Sequence, residues 1–112
     1  MTTVEKRLIA DRDATLELIA SLSGDWDGVV RGSAYANVDD EHDPEGATIA
    51  YERARIEASL ARARENLADI EDALRRLRDG TYGVCERCEK PIGEGRLEAR
   101  PTARTCITCA SA

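Results

Sequence analysis

Four cysteines are the only side chains in this chain whose types and spacing announce chemistry of their own. Cys85 and Cys88 form one C-x-x-C pair, Cys106 and Cys109 a second, and 17 residues from Glu89 to Thr105 separate them. Two C-x-x-C turns 15 to 20 residues apart are the spacing of a four-thiolate metal clamp, because each turn offers two sulfurs to one side of a tetrahedron. A thiolate quartet suits a soft-to-borderline ion, which makes Zn²⁺ the favoured occupant. With every tetrahedral position filled by sulfur, no position is left for water or substrate. One such ion is therefore structural and not catalytic. It would contribute on the order of 10 kcal/mol to ordering a segment too short to bury much apolar surface. A redox couple normally places a single C-x-x-C at the start of a helix in an alternating strand and helix pattern. Here the surroundings are turn residues instead: Gly80, Gly83, Pro91, Gly93, Gly95 and Pro101.

Other catalytic constellations are not written into the chain. His42 is the single histidine, no serine has a paired base, and the acids lack an apolar setting that would raise a pKa. A non-enzyme is expected. The start of the chain, MTTVEKRLIADRD, is charged where an export signal needs an apolar stretch, and no apolar run approaches eighteen residues. A cytoplasmic location is the expectation, and in a reducing compartment paired cysteines serve as metal ligands or reactive thiols more often than as disulfides.

The elements that must position the cysteines have a different grammar. From Ile49 the apolar residues step by four and three through Ile56, Leu60, Ala63, Leu67, Ile70, Leu74 and Leu77, with Arg53 the one charge on that seam. Asp43 as N-cap, Pro44 at the first helical position and Arg75, Arg76 and Arg78 before Gly80 sign both ends. The spacing predicts a helix from Pro44 to about Asp79, roughly 50 Å long at 1.5 Å per residue. Val4, Leu8, Ile9, Thr15, Leu16, Leu18, Ile19 and Leu22 lie on one side of an earlier helix, the first in the chain, from about Thr3 to Ser23. The fold class expected is mainly α, an antiparallel two-helix coiled-coil hairpin (residues 1–79) followed by a small four-cysteine zinc finger (80–112). A tip loop at about residues 24–43 joins the helices. Within it, Trp26, Val29, Val30, Tyr35 and Val38 could cover the first turns of the second helix, and a coiled coil between two chains is the competing use of the seam.

Charge separates the two parts. Residues 1–79 hold 18 acids and 11 bases, and residues 80–112 hold four acids and five bases. Asp39, Asp40, Glu41, Asp43 and Glu45 crowd around His42 at the mouth of the second helix. The helix dipole accounts for Asp43 and Glu45, but its influence fades within one turn, so a basic partner or a cation suits the remainder. With a pI near 4.8, two lysines and finger arginines interleaved with glutamates, autonomous DNA binding is not expected.

The run LRDGTYGVCERCEKPIGEGRLEARPTARTCITC, Leu77 to Cys109, resembles the C-terminal zinc finger of the DksA/TraR family. Tyr82, Gly83, Cys85, Cys88, Ile92, Arg96, Leu97, Ala99, Pro101, Cys106 and Cys109 fit its pattern, and Glu89 stands where the family usually has glycine. The resemblance implies a bacterial transcription regulator that binds RNA polymerase. Its coiled coil would enter the secondary channel and bring tip residues Asp39, Asp40, Glu41, Asp43, Glu45 and Ala47 near the active site, an effect linked in the family to ppGpp. The family tip pattern D-x-x-D-x-A is not complete here. Aligned on Asp43 and Pro44, Gly46 falls at the second acid and Thr48 at the alanine; aligned on Ala47, His42 falls at the first acid. Polymerase binding with an altered output is the expectation that follows. A self-associating coiled coil stapled by zinc and a thiol-based redox sensor are the alternatives from other classes.

Overall fold

The computed structural model describes residues 2–36 and 44–111, with the side chains of 32–36, 44 and 45 left aside. Two long helices, α1 (Thr3–Ala36) and α2 (Pro44–Asp79), precede two short ones, α3 (Glu94–Ala99) and α4 (Ile107–Ala110). Among the described residues there is no strand, only a single antiparallel bridge between Val84 and Pro91.

The second helix begins at Pro44 and ends at Asp79, as its punctuation predicts. Its seam is buried at Ile56, Leu60, Ala63, Ile70 and Leu74 and half-buried at Ile49, Leu67 and Leu77. Gly80, at φ +78°, closes it, and the Thr81 amide turns back to the Arg76 carbonyl at 2.9 Å. This is the left-handed cap that glycine adopts without a Cβ penalty.

The first helix does not stop at Ser23. It continues through Gly24 and Gly28 to Ala36, so that α1 and α2 are nearly matched at 34 and 36 residues. The residues expected in a loop from 24 to 36 are helical. The reason lies in a seam that runs past the glycines: Leu8, Arg12, Thr15, Ile19, Leu22, Trp26 and Val29 alternate by four and three, and every one is buried or half-buried. Each interior glycine costs a helix about 1 kcal/mol. Covering Trp26 and Val29, even in part, returns a comparable amount, and packing outweighs propensity. Asp43, the expected N-cap, and the acidic stretch Asp39 to Asp43 with His42 lie outside the described residues.

Packing groups the chain into two compact units, one made of Met1–Asp13 with Leu67–Ala112, the other of Ala14–Asn66. In the first, Leu8 is fully buried against Ile70, Ala73 and Leu74, with Ile9, Leu77 and Tyr82 around them. In the second, Asn66 Nδ2 donates to Thr15 Oγ1 at 3.3 Å, and the Arg53 guanidinium lies 5.0 Å from the centroid of the Trp26 ring. Within each unit α1 runs antiparallel to α2. Arg53, the charge on the seam, stays exposed and uses its guanidinium against the tryptophan, a cation–π contact that tolerates a basic side chain there.

Candidate metal centre

The cysteines arrive on two turns built differently. Cys85 to Lys90 is a tight knuckle: the Glu89 amide donates to the Cys85 carbonyl at 2.9 Å, and the Cys85 amide to the Lys90 carbonyl at 2.8 Å. The pairing continues outward through the Ile92 amide to the Gly83 carbonyl at 2.8 Å. Closing the turn sends Glu89 into the left-handed region at φ 64°, where a residue with a Cβ is strained. A Cβ on Gly83 would stand at ordinary contact distance, 3.5 Å, from Leu97 Cδ1, so it is the φ of +84° rather than crowding that favours glycine there. Cys106 and Cys109 sit on a single helical turn, with the Ala110 amide donating to the Cys106 carbonyl at 2.9 Å. The Glu86 amide reaches the Arg104 carbonyl at 2.9 Å and Arg87 Nη1 the Cys109 carbonyl at 3.2 Å, tying the two turns together.

The four predicted ligands converge. Their sulfurs all lie within 4.8 Å of one another, Cys88 and Cys106 are 3.7 Å apart, and none is in a disulfide. A tetrahedron with 2.3 Å zinc–sulfur bonds has edges of about 3.8 Å. The quartet therefore fits one structural zinc ion. Cys85 is fully buried and the other three are partly covered, which keeps the centre closed.

The protonation balance of the protein groups alone shows why a cation is needed. The Cys88 amide, pointing at the Cys85 sulfur, lowers that thiol to about 6, and the Cys109 amide lowers Cys106 in the same way. Cys109 moves the other way, to about 12, because it donates its proton to the neighbouring sulfur of Cys106. Thiolates this close repel one another, so Cys109 keeps its proton until a divalent ion compensates the charge.

One feature of the site had no signature in the sequence. Five successive carbonyls leading into Cys106 each accept a hydrogen bond: Pro101 from Tyr82 Oη at 2.8 Å, Thr102 from Arg76 Nη2 at 3.3 Å, Ala103 from Arg76 Nη1 at 3.2 Å, Arg104 from the Glu86 amide at 2.9 Å and Thr105 from Arg96 Nε at 2.8 Å. Arg76 is 8% exposed, pairs with Asp72 at 2.9 Å and lies over the Tyr82 ring. Asp72 also takes Arg75 at 2.5 Å and Arg104 at 3.1 Å, and the Arg75 bond above all holds its carboxyl below the usual range. Of the tip residues, Ala47 is exposed on α2; the Glu45 side chain and residues 39–43 are not described.

Residues 80–112 match the prokaryotic dksA/traR C4-type zinc finger. The chain is 47% identical over 66 residues to the uncharacterized protein YteA of Bacillus subtilis, which is 59% of this chain and 28% of YteA. It is 57% identical over 46 residues to the RNA polymerase-binding transcription factor DksA of Caulobacter vibrioides, 41% of this chain and 32% of that one. These matches span about a third of the length of the curated relatives. Transcription factor DksA2 from Pseudomonas aeruginosa has a similar fold, with a TM-score of 0.58 and 28% identity over 95% of this chain and 81% of that one.

Proposed function

On the premise that this is a DksA/TraR-type C4 zinc finger protein, we propose that it is a bacterial transcription regulator that binds RNA polymerase. The observation that carries this is the 57% identity over 46 residues to a polymerase-binding factor, joined to a fold like that of DksA2 over 95% of the chain. In this reading the α1–α2 hairpin enters the secondary channel of the polymerase. Its acids Asp39, Asp40, Glu41, Asp43 and Glu45, with Ala47, face the catalytic region, and the zinc finger steadies the base. The protein acts by binding, without chemistry of its own, in the cytoplasm. Because one of the two tip acids of the family pattern is missing, the output differs from the family's, including any response to ppGpp.

Retention of purified polymerase on the immobilised protein, and run-off transcription from ribosomal RNA promoters with and without ppGpp, test this directly. Retention of polymerase with a change in open-complex lifetime is the expected result. A protein that neither retains polymerase nor alters any transcript is not such a regulator.

A further inference from the structure

We infer that Arg76 is a positioning residue for the metal centre, coupling zinc occupancy to the folding of the helix ends in the first compact unit. The geometry points to it in three steps. The segment Pro101 to Thr105 has no regular structure of its own, and its path into the ligand Cys106 is set by donors to five successive carbonyls. Two of those five bonds come from one guanidinium on α2. That guanidinium is itself fixed by Asp72 at 2.9 Å and by the Tyr82 ring, 5.9 Å from its carbon, and is almost wholly buried.

Burial makes the arrangement all or nothing. A guanidinium in this setting is stable only while its donors are matched, because an unmatched buried charge costs far more than the pair is worth when complete. If the segment leaves Arg76, the arginine loses two acceptors, and Tyr82, which packs against the core of Leu8, Ile70, Ala73 and Leu74, loses its bond to Pro101. Zinc holds Cys106 beside the first knuckle and so holds the segment on Arg76. Coupling of this kind is reciprocal: if zinc stabilises the Arg76 contacts, those contacts must raise the affinity for zinc by the same factor. The finger is also reached from α1, where Arg7 Nη1 donates at 2.6 Å to the carbonyl of Glu98 in α3, the helix just before that segment. The start of α1, more than seventy residues before the first cysteine, therefore belongs to the structure that zinc secures.

Zinc affinity, measured by competition with a chromogenic chelator, and amide hydrogen exchange of the full-length protein test the coupling without reference to transcription. Arg76→Met should lower zinc affinity at least tenfold while the visible spectrum of the cobalt-substituted site keeps its tetrahedral band positions. Arg76→Lys should recover little, since one ammonium cannot serve two carbonyls and a carboxylate in the guanidinium's planar geometry. Arg78→Met, an exposed arginine near the same end of α2, should leave affinity unchanged. Tyr82→Phe removes a single bond to Pro101 and should weaken zinc two- to threefold, and it decides the matter if Arg76→Met does not fold even with zinc. In the wild type, chelation should abolish protection at residues 5–13 and 70–79 together with the finger. Wild-type zinc affinity in both Arg76→Met and Tyr82→Phe, or unchanged exchange at 5–13 after chelation, overturns the inference.

Discussion

At the scale of single residues, the knuckle shows what sequence can and cannot display. Two C-x-x-C pairs are legible because thiolate ligation imposes its spacing on the chain, and the structure brings all four sulfurs within 4.8 Å. Glu89 was visible as a departure from the family pattern, and the structure supplies the cause: its φ of 64° is a position where glycine carries no Cβ penalty. Glu89→Gly should stabilise the zinc-loaded protein by about 0.5–1 kcal/mol, the relief of left-handed strain less the extra freedom of glycine in the unfolded chain. A rise of a few degrees in Tm checks it, and a fall would mean the Glu89 side chain holds the turn. Zinc must also displace protons. With Cys85 lowered to about 6 and Cys109 raised to about 12, binding at pH 7.5 releases at least the Cys109 proton. As pH falls through 6, protons compete at Cys85 as well, so zinc affinity should drop between pH 7.5 and 5.5. Zinc titrations in a weakly buffered indicator dye would read both effects, and affinity flat across that interval would contradict the thiolate assignment. Arg76 could not be found this way. In the sequence it is one of three arginines before a glycine, which a helix dipole explains equally well, and its acceptors are backbone carbonyls that carry no residue signature.

At the scale of elements, the second helix was readable at both ends because proline and glycine mark them, whereas the first helix was not. Gly24 and Gly28 read as the start of a loop, and the charged Arg12 interrupted the apolar stripe, so the four-and-three seam through Trp26 and Val29 was missed. Counting Arg12 as a seam position beside Thr15, which already lies on that side, restores the register. The consequence is testable. Both glycines are exposed, neither has a positive φ, and a Cβ at either would meet nothing within 4 Å. Gly24→Ala and Gly28→Ala should each stabilise α1 by about 1 kcal/mol. Thermal unfolding followed by helical circular dichroism should show a gain for each substitution alone. A loss of stability at either position would place that glycine outside a helix. Ile56→Ala, by contrast, empties a seam position that is 2% exposed and should cost about 2–5 kcal/mol.

At the scale of the whole molecule, charge is distributed by unit. Residues 14–66 carry eleven acids and five bases and so hold the entire net charge of −6, while the unit containing the finger is neutral. Four of those acids, Asp39, Asp40, Glu41 and Asp43, fall in the stretch between the helices. The charge imbalance was legible from the sequence, but its confinement to one unit was not, because residues 1–13 join the finger's unit through packing that leaves no mark on composition. If the proposed polymerase binding is correct, this charge belongs to the partner-facing end and acts first on the encounter. Charges at a contact rim speed association more than they slow dissociation, and salt screens them beyond about 10 Å at 0.1 M. Replacing the four acids with asparagine leaves the cysteines and both helix seams untouched and takes that unit from −6 to −2. The variant should keep its zinc and helical content, yet associate with polymerase about tenfold more slowly at low ionic strength. The difference should shrink toward nothing at 1 M salt, where the screening length is about 3 Å. Stopped-flow association measured across a salt series separates the outcomes. A wild-type rate independent of salt would show that the acids do not steer the encounter, and a deficit persisting undiminished at high salt would assign them to short-range contacts instead.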